Sequence, residues 1–458
     1  MAKISRADYA TSSSERFTYA LFYFGQLIFY MIVTSFINLF FTEIGIPATI
    51  VGGVLIVTKV WDAINDPIFG VIVDKVNLKR GKYIPWVRIA TFLIPITTIL
   101  IFCIPSGLSA QVKIILAVAT YVLWDTAYTI CDVPIYALPT AMTSNIDERD
   151  RLYINSKFFA FLGGLITVIA VPLLYPAIGW TMAVVILAVL GFLTMLPLTF
   201  KARERFFVKE EHNPSLVELL RYVIRNKYLL IYHGTLILVA LSNTASPVQS
   251  YVAIHCLGGT EYIAMIALIA TVPMLFAVFF AKFLLDRADK VFIAISCMLG
   301  SMTIGVIMYF VGYGSLVLFS ILIAFRALFG GMSVVLVAMF TADCSEYGNY
   351  ITGERAQGVT FAIQTFTAKM TAALSVSIGM FILGAIGFVE GSGVAQDASV
   401  VSAIWVLYTL VPLATGILSV FLLGFAYRLR QKDVAVMIRV NKGELAREEA
   451  AAMMSRKY

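Results

Sequence analysis

Apolar residues run along this chain in long blocks separated by short polar stretches, without the strict alternation of half-buried strands. A block of roughly 20 apolar residues can cross a bilayer as a helix. Twelve recur, near 19–42, 48–74, 84–104, 112–140, 156–178, 180–200, 228–254, 260–285, 291–312, 315–343, 356–388 and 400–428. Only helices and closed barrels satisfy their backbone in lipid, and barrel alternation is absent. The pattern therefore predicts an all-α membrane protein of the inner or plasma membrane, with no sizeable soluble domain. Composition agrees, with 60% of the 458 residues hydrophobic and 13% charged.

The net charge of +7 could suggest nucleic acid, but the basic residues sit in short loops. Those after even-numbered spans hold Lys75, Lys79, Arg80, Lys82, Arg149, Arg151, Arg203, Arg205, Arg287 and Arg355, whereas those after odd-numbered spans are nearly bare, Lys113 excepted. By the positive-inside rule both termini are expected to be cytoplasmic, with no nucleic-acid partner. The polar stretch Met1–Arg16 precedes an apolar run too long for a signal peptide, so that run reads as a retained first span. The five cysteines show no C-x-x-C spacing, which gives no sign of a disulfide framework or metal site.

Six spans, a polar segment and six more spans suggest duplicated halves. Residues 1–200 form a first six-helix bundle, 201–227 a cytoplasmic central loop, 228–430 a second bundle and 431–458 a cytoplasmic tail. Loops in matching positions support this, Asp74 to Lys82 after span two and Asp286 to Lys290 after span eight. Two pseudo-symmetric parallel halves with a site near the midplane describe the major facilitator fold. Asp74, Arg80 and Lys82 then read as a cytoplasmic gate locking the halves together.

Span two carries Lys59-Val60-Trp61-Asp62-Ala63-Ile64-Asn65-Asp66-Pro67. At ~100° per residue Asp62, Asn65 and Asp66 share one face, and two such carboxylates either hold a proton or take a cation between them. Ionisable groups at membrane depth mark ion or substrate pathways. The competing reading pairs the acids with Lys59 to fix packing, although an ion pair needs only one acid. In span four Asp125, Thr129, Asp132 and Tyr136 follow at steps of four, three and four, again one face. Carboxylates accept paired hydroxyl hydrogen bonds and an aromatic ring stacks on a sugar, so the stripe suits a polyol; packing glue is the alternative. Lys157 opens span five, and Gln364, Thr365 and Lys369 lie in span eleven. Pro67, Pro134 and Pro139 flank these stripes, where broken helical bonding would open carbonyls to a cavity.

The run Trp61 to Pro67, then Arg80-Gly81-Lys82 with Pro85-Trp86, Tyr128-Thr129-Ile130 with Asp132 and Pro134, Asp343 with Glu346-Tyr347-Gly348, and Gln364-Thr365 with Lys369 resemble the glycoside-pentoside-hexuronide cation symporters. The motifs recur in matching order from span two to span eleven. The resemblance implies that Asp62, Asn65, Asp66 and Thr129 hold the coupling cation, with Asp62 and Asp66 as the sodium carboxylates. It implies that Tyr128, Asp132 and Lys157 bind sugar, with Gln364, Thr365 and Lys369 facing it from the other half. Five positions depart from a well-known galactoside carrier of the family, Val334 standing for a tryptophan of the second half. Gln26 and Leu27 stand for a lysine and aspartate pair, Tyr136 for a tryptophan, and Asp125 for a small residue.

The expected protein is a monomeric secondary transporter, not an enzyme, without a cofactor. It couples sodium, with proton or lithium as alternatives, to uptake of a small glycoside, pentoside or hexuronide. Its partners are that sugar, a monovalent cation and the bilayer. The alternatives are a proton-coupled carrier of a neutral or anionic sugar, and a lipid or lysolipid carrier on the same fold. No H-E-x-x-H, G-x-S-x-G or Walker A run is present.

Overall fold

The computed structural model describes residues 9–75, 81–143, 145–206, 224–353, 357–391 and 393–456, and among them every regular element is helical. The first six are α1 (Ser13–Glu43), α2 (Ala48–Lys75), α3 (Ile84–Phe102), α4 (Ala110–Met142), α5 (Ile146–Ile178) and α6 (Trp180–Lys201). Then come α7 (Lys227–Ser242), α8 (Ala245–Tyr251), α9 (Glu261–Leu285), α10 (Lys290–Val311), α11 (Leu316–Thr352), α12 (Gln357–Ala385), α13 (Ala398–Thr409) and α14 (Val411–Phe421). Two short helices, α15 (Gln431–Asn441) and α16 (Arg447–Met453), end the chain. Among the described residues eleven stretches are long and apolar enough to cross a membrane, and Glu261–Met274 is a shorter apolar helix. Large apolar side chains such as Phe200, Phe310, Val317 and Phe425 stand exposed along these helices, as lipid-facing residues must.

The apolar blocks locate the helices to within a few residues except where polar sequence continues a helix beyond its apolar part. Helix α5 starts at Ile146 instead of near 156 because the Asn145 side chain accepts the Glu148 amide and caps it. Helix α11 continues to Thr352, where Gly353 takes the left-handed conformation at φ 76 and ends it. Spans seven and twelve are interrupted, α7 giving way to α8 and a π segment at Val252–Cys256, and α13 to α14 and a π segment at Leu422–Ala426.

Two compact units divide the chain. The first comprises Met1–Glu211, Gly259–Met265 and Met380–Gln396, and the second His212–Gly258, Ile266–Gly379 and Asp397–Tyr458. In the first unit α1 packs on α5 and α6 through glycines. A Cβ on Gly163 would lie 2.1 Å from the Phe24 carbonyl oxygen, and one on Gly25 2.4 Å from that of Gly191. Such approach lets helices associate without a hydrophobic drive between them. Lys113, the basic residue of an otherwise bare loop, is buried with its ammonium on the Ile44 carbonyl at 2.6 Å and that of Ser106 at 3.3 Å. It caps the C-terminus of α1, where positive charge and donors are favoured.

Acidic side chains close one end of this unit. Glu204 accepts the amides of Lys82, Tyr83 and Ile84 at 2.7 to 2.8 Å, covering the α3 N-terminus. Glu148, fully buried, accepts the amides of Ala10 and Thr11 and the hydroxyls of Thr11 and Thr143. Burial alone would raise its carboxyl, but these hydrogen bonds outweigh that and hold it below the ordinary 4.5.

The second unit has its own core, with Tyr232, Phe340 and Tyr427 among α7, α11 and the segment after α14. Its one described buried ion pair joins Lys290 Nζ to Asp343 Oδ2 at 2.5 Å. The chain end expected to be a tail is helical and docked: Val434 and Met437 of α15 are buried, and Asn441 Nδ2 donates to the Glu346 carboxylate at 2.9 Å.

Candidate functional site

The carboxylate-bearing face of α2 lies against α4. Glu390 accepts the Ala48 amide at 2.8 Å, so an acid stands where the α2 dipole and its orphan amides favour one. Three turns on, the Trp61 indole donates to Thr126 Oγ1 at 3.0 Å, and Thr129 Oγ1 donates to Asp66 Oδ1 at 2.9 Å. The expected partners Asp66 and Thr129 are thus brought together directly. Asp62, on the same face, turns its carboxylate to Lys59 Nζ at 3.4 Å. Asn65 is buried, and its Nδ2 has no hydrogen-bond partner.

Two acids, an amide and a hydroxyl are an oxygen-rich set of the kind that suits hard cations rather than soft metals. Among the described residues no three His, Cys, Asp or Glu side chains gather as a metal cluster. The buried amide is informative, because an orphaned buried polar atom is costly. Rotating Asn65 about its last torsion would exchange that nitrogen for an oxygen facing the same place.

The expected polyol stripe of α4 is divided between neighbours: Thr129 and Asp125 face α2, whereas Asp132 and Tyr136 face α1 and α5. Gln26 Nε2 donates to Asp132 Oδ1 at 3.0 Å, while Gln26 Oε1 is buried without a partner. The Tyr128 ring lies 5.5 Å from that of Tyr30 and 5.2 Å from that of Trp124. Lys157 Nζ stands 3.4 Å from the Tyr136 hydroxyl and 5.1 Å from that ring's centre. Asp125 is buried within electrostatic reach of Lys59. Lys59 therefore reaches an acid on each helix, Asp62 on α2 and Asp125 on α4.

Neither proline breaks α4, contrary to expectation. Pro139 removes the amide that would bond the Ile135 carbonyl, and the Tyr19 hydroxyl donates to that oxygen instead, at 3.2 Å. The carbonyl is satisfied by a neighbouring helix and is not opened to a ligand. Helix α2 likewise runs through Pro67.

Of the remaining expected residues, Gln364 and Lys369 lie on α12 in the second unit, Gln364 with a buried, unpartnered Oε1. The side chains of Thr365 and Asp74, and Arg80 entirely, lie outside the described residues. Lys82 of the expected gate is described; its ammonium sits 5.4 Å from the centre of the Tyr83 ring. Sequence reasoning left out Tyr23 and Tyr30, whose rings meet Tyr136 and Tyr128; aromatic residues are too common in apolar spans to stand out. It also left out Arg326, although a lone arginine in the middle of span ten was visible in the pattern.

Residues 18–431 match the model of the MFS/sugar transport protein family. The chain belongs to this family of transporters. An uncharacterized symporter of Bacillus subtilis is 28% identical over 93% of this chain and 95% of its own length. The isoprimeverose transporter of Lactiplantibacillus pentosus is 27% identical over 90% and 88%, and a glucuronide carrier protein homolog of Escherichia coli 25% identical over 90% and 92%. The nucleoside transporter NupG superposes with a TM-score of 0.63 at 14% identity, covering 90% of this chain and 99% of that one. A bacterial homolog of the lysosomal transporter Spinster gives 0.60 at 14%, covering 95% and 98%. At such identities these structures speak to the fold, which is the major facilitator fold. This family member is a multi-pass membrane symporter of the glycoside-pentoside-hexuronide type, not an enzyme.

Proposed function

We propose that the protein is a sodium-coupled symporter of a small glycoside, with sodium held by Asp62, Asn65, Asp66 and Thr129 and the sugar by Gln26, Asp125, Tyr128, Asp132, Tyr136 and Lys157. The observation that carries this reading is the 2.9 Å bond from Thr129 to Asp66. It joins α2 to the α4 turn that also bears Asp132, three residues on. A cation drawn to the Asp66 carboxylate then steadies the helix that presents Asp132 to a sugar hydroxyl. Cation and sugar each raise the affinity for the other by the same factor, because coupling free energy is reciprocal. Relatives described as an isoprimeverose transporter, a glucuronide carrier homolog and a putative glycoside/cation symporter support the substrate class.

The experiment is sugar binding to purified protein with sodium, lithium or potassium at several fixed pH values. Sodium-dependent tightening of a glycoside that Asp66→Asn abolishes is the expected result. Binding indifferent to sodium but driven by pH would replace sodium with the proton, and no response to any sugar would remove the glycoside assignment.

A further inference from the structure

Two bonds set the register of α2 against α4, from Trp61 Nε1 to Thr126 Oγ1 at 3.0 Å and from Thr129 Oγ1 to Asp66 Oδ1 at 2.9 Å. In that register Asp62 and Asp125, four residues before Asp66 and Thr129, stand at one level on the two helices. Both are buried. Lys59 serves the pair, with its Nζ 3.4 Å from Asp62 Oδ2 and within electrostatic reach of Asp125.

An ammonium committed to one carboxylate closes to about 2.7–2.9 Å, and Lys290 meets Asp343 at 2.5 Å. Lys59 stands farther off. Its side chain also keeps 25% exposure against 7% for Lys290, so the head has room to move. A lysine is suited to this, being a compact charge on a flexible stem with no preferred direction of approach. Tyr121 and Tyr30 lie in its field as well, and the Tyr30 ring is 5.5 Å from that of Tyr128. The ammonium therefore borders the acids of α2 on one side and residues of the sugar stripe on the other.

An ammonium and a sodium ion at one carboxylate repel each other, the more so where little water screens them. An ion arriving at Asp62 and Asp66 pushes Lys59 away, and Asp125 is the other acid it reaches.

We propose that sodium binding transfers the Lys59 ammonium from Asp62 on α2 to Asp125 on α4. This rests on the sodium assignment and deepens it. The transfer carries the arrival of the ion to the one acid of the α4 stripe that faces α2. A carboxylate has two oxygens and about four acceptor sites, so Asp125 can take the ammonium and still accept a sugar hydroxyl. Lys59 is a positioning residue in this scheme, acting on the sugar through Asp125.

The test is equilibrium titration of full-length purified protein with sodium alone, at constant ionic strength, followed by tryptophan fluorescence and by binding of radioactive sodium. Asp125→Asn is expected to weaken sodium binding by about 10-fold, because the ammonium then has only Asp62 to hold. In Lys59→Gln the same change at Asp125 should have little effect, since no ammonium is left to transfer. Lys59→Arg keeps the charge and should keep the dependence on Asp125. A loss of equal size in the Lys59→Gln background overturns the proposal, because Asp125 then acts on the ion without the lysine. Unchanged sodium affinity in Asp125→Asn overturns it even if Lys59→Gln does not fold. Wild-type protein that binds no sodium removes the sodium assignment and this inference together, whereas sodium binding with additive effects removes this inference alone.

Discussion

Gln26 Nε2 donates to Asp132 Oδ1 across 3.0 Å, and with that bond α1 fixes the carboxylate at the centre of the α4 polar stripe. The other end of the amide, Oε1, is buried without a partner, so Gln26 offers an acceptor beside the acid it holds. A donor from a sugar hydroxyl would satisfy it. Gln26→Ala is expected to weaken sugar binding about 10-fold while leaving sodium affinity unchanged, since a hydrogen bond to a charged group contributes ~1.5–3 kcal/mol. Equilibrium titration of sugar at saturating sodium checks this; unchanged affinity would show that Asp132 needs no such support.

Thr129 reaches Asp66 through a single hydroxyl. Thr129→Val keeps the shape and removes the oxygen, and is expected to raise the sodium concentration for half-maximal uptake by about 10-fold, the equivalent of ~1.4 kcal/mol. Thr129→Ser should retain it. Uptake into proteoliposomes over a sodium series measures both, and a serine variant as impaired as the valine one would count against a ligand role.

Lys59 places a tethered cation 3.4 Å from Asp62. If that ammonium competes with sodium for the carboxylate, Lys59→Gln should bind sodium more tightly than the wild type, by several-fold. Weaker binding would mean that Lys59 organises Asp62 and Asp125 instead of competing for them. Sodium titration of the purified variant, followed by tryptophan fluorescence, distinguishes the two.

Glu148 is the buried acceptor for four donors at the end of the first unit. Its folded-state carboxyl lies below the ordinary value, so its stabilisation is complete above the unfolded value and is lost as pH falls through the folded one. Thermal stability of the wild type should decline as pH drops below about 4.5. Glu148→Gln should be less stable at neutral pH, by about 2 kcal/mol, with a shallower acid decline. Parallel melting curves from pH 7 downward test the pair.

Lys290 and Asp343 form a pair in which both residues are buried. Asp343→Asn strands the ammonium, and breaking a buried pair from one side costs roughly 3–5 kcal/mol. The exchange Lys290→Asp with Asp343→Lys should recover part of that loss. Melting temperatures of the single and double variants decide it, and an exchange no better than either single change would point to geometry instead of charge.

The approximate positions of the membrane helices were legible in the sequence, because a bilayer demands a fixed length of apolar helix whatever it packs against. The motifs of α2 and α4 could be placed on single faces for an equally local reason, helical periodicity. What periodicity cannot supply is the partner across the gap. That Gln26 holds Asp132 and that a tyrosine from α1 closes the carbonyl freed by Pro139 depend on which helices lie side by side. The same holds for Arg326, which a linear pattern shows only as a charge in an apolar run. Its meaning comes from Pro412, 86 positions away, whose missing amide leaves the Tyr408 carbonyl for Arg326 to satisfy.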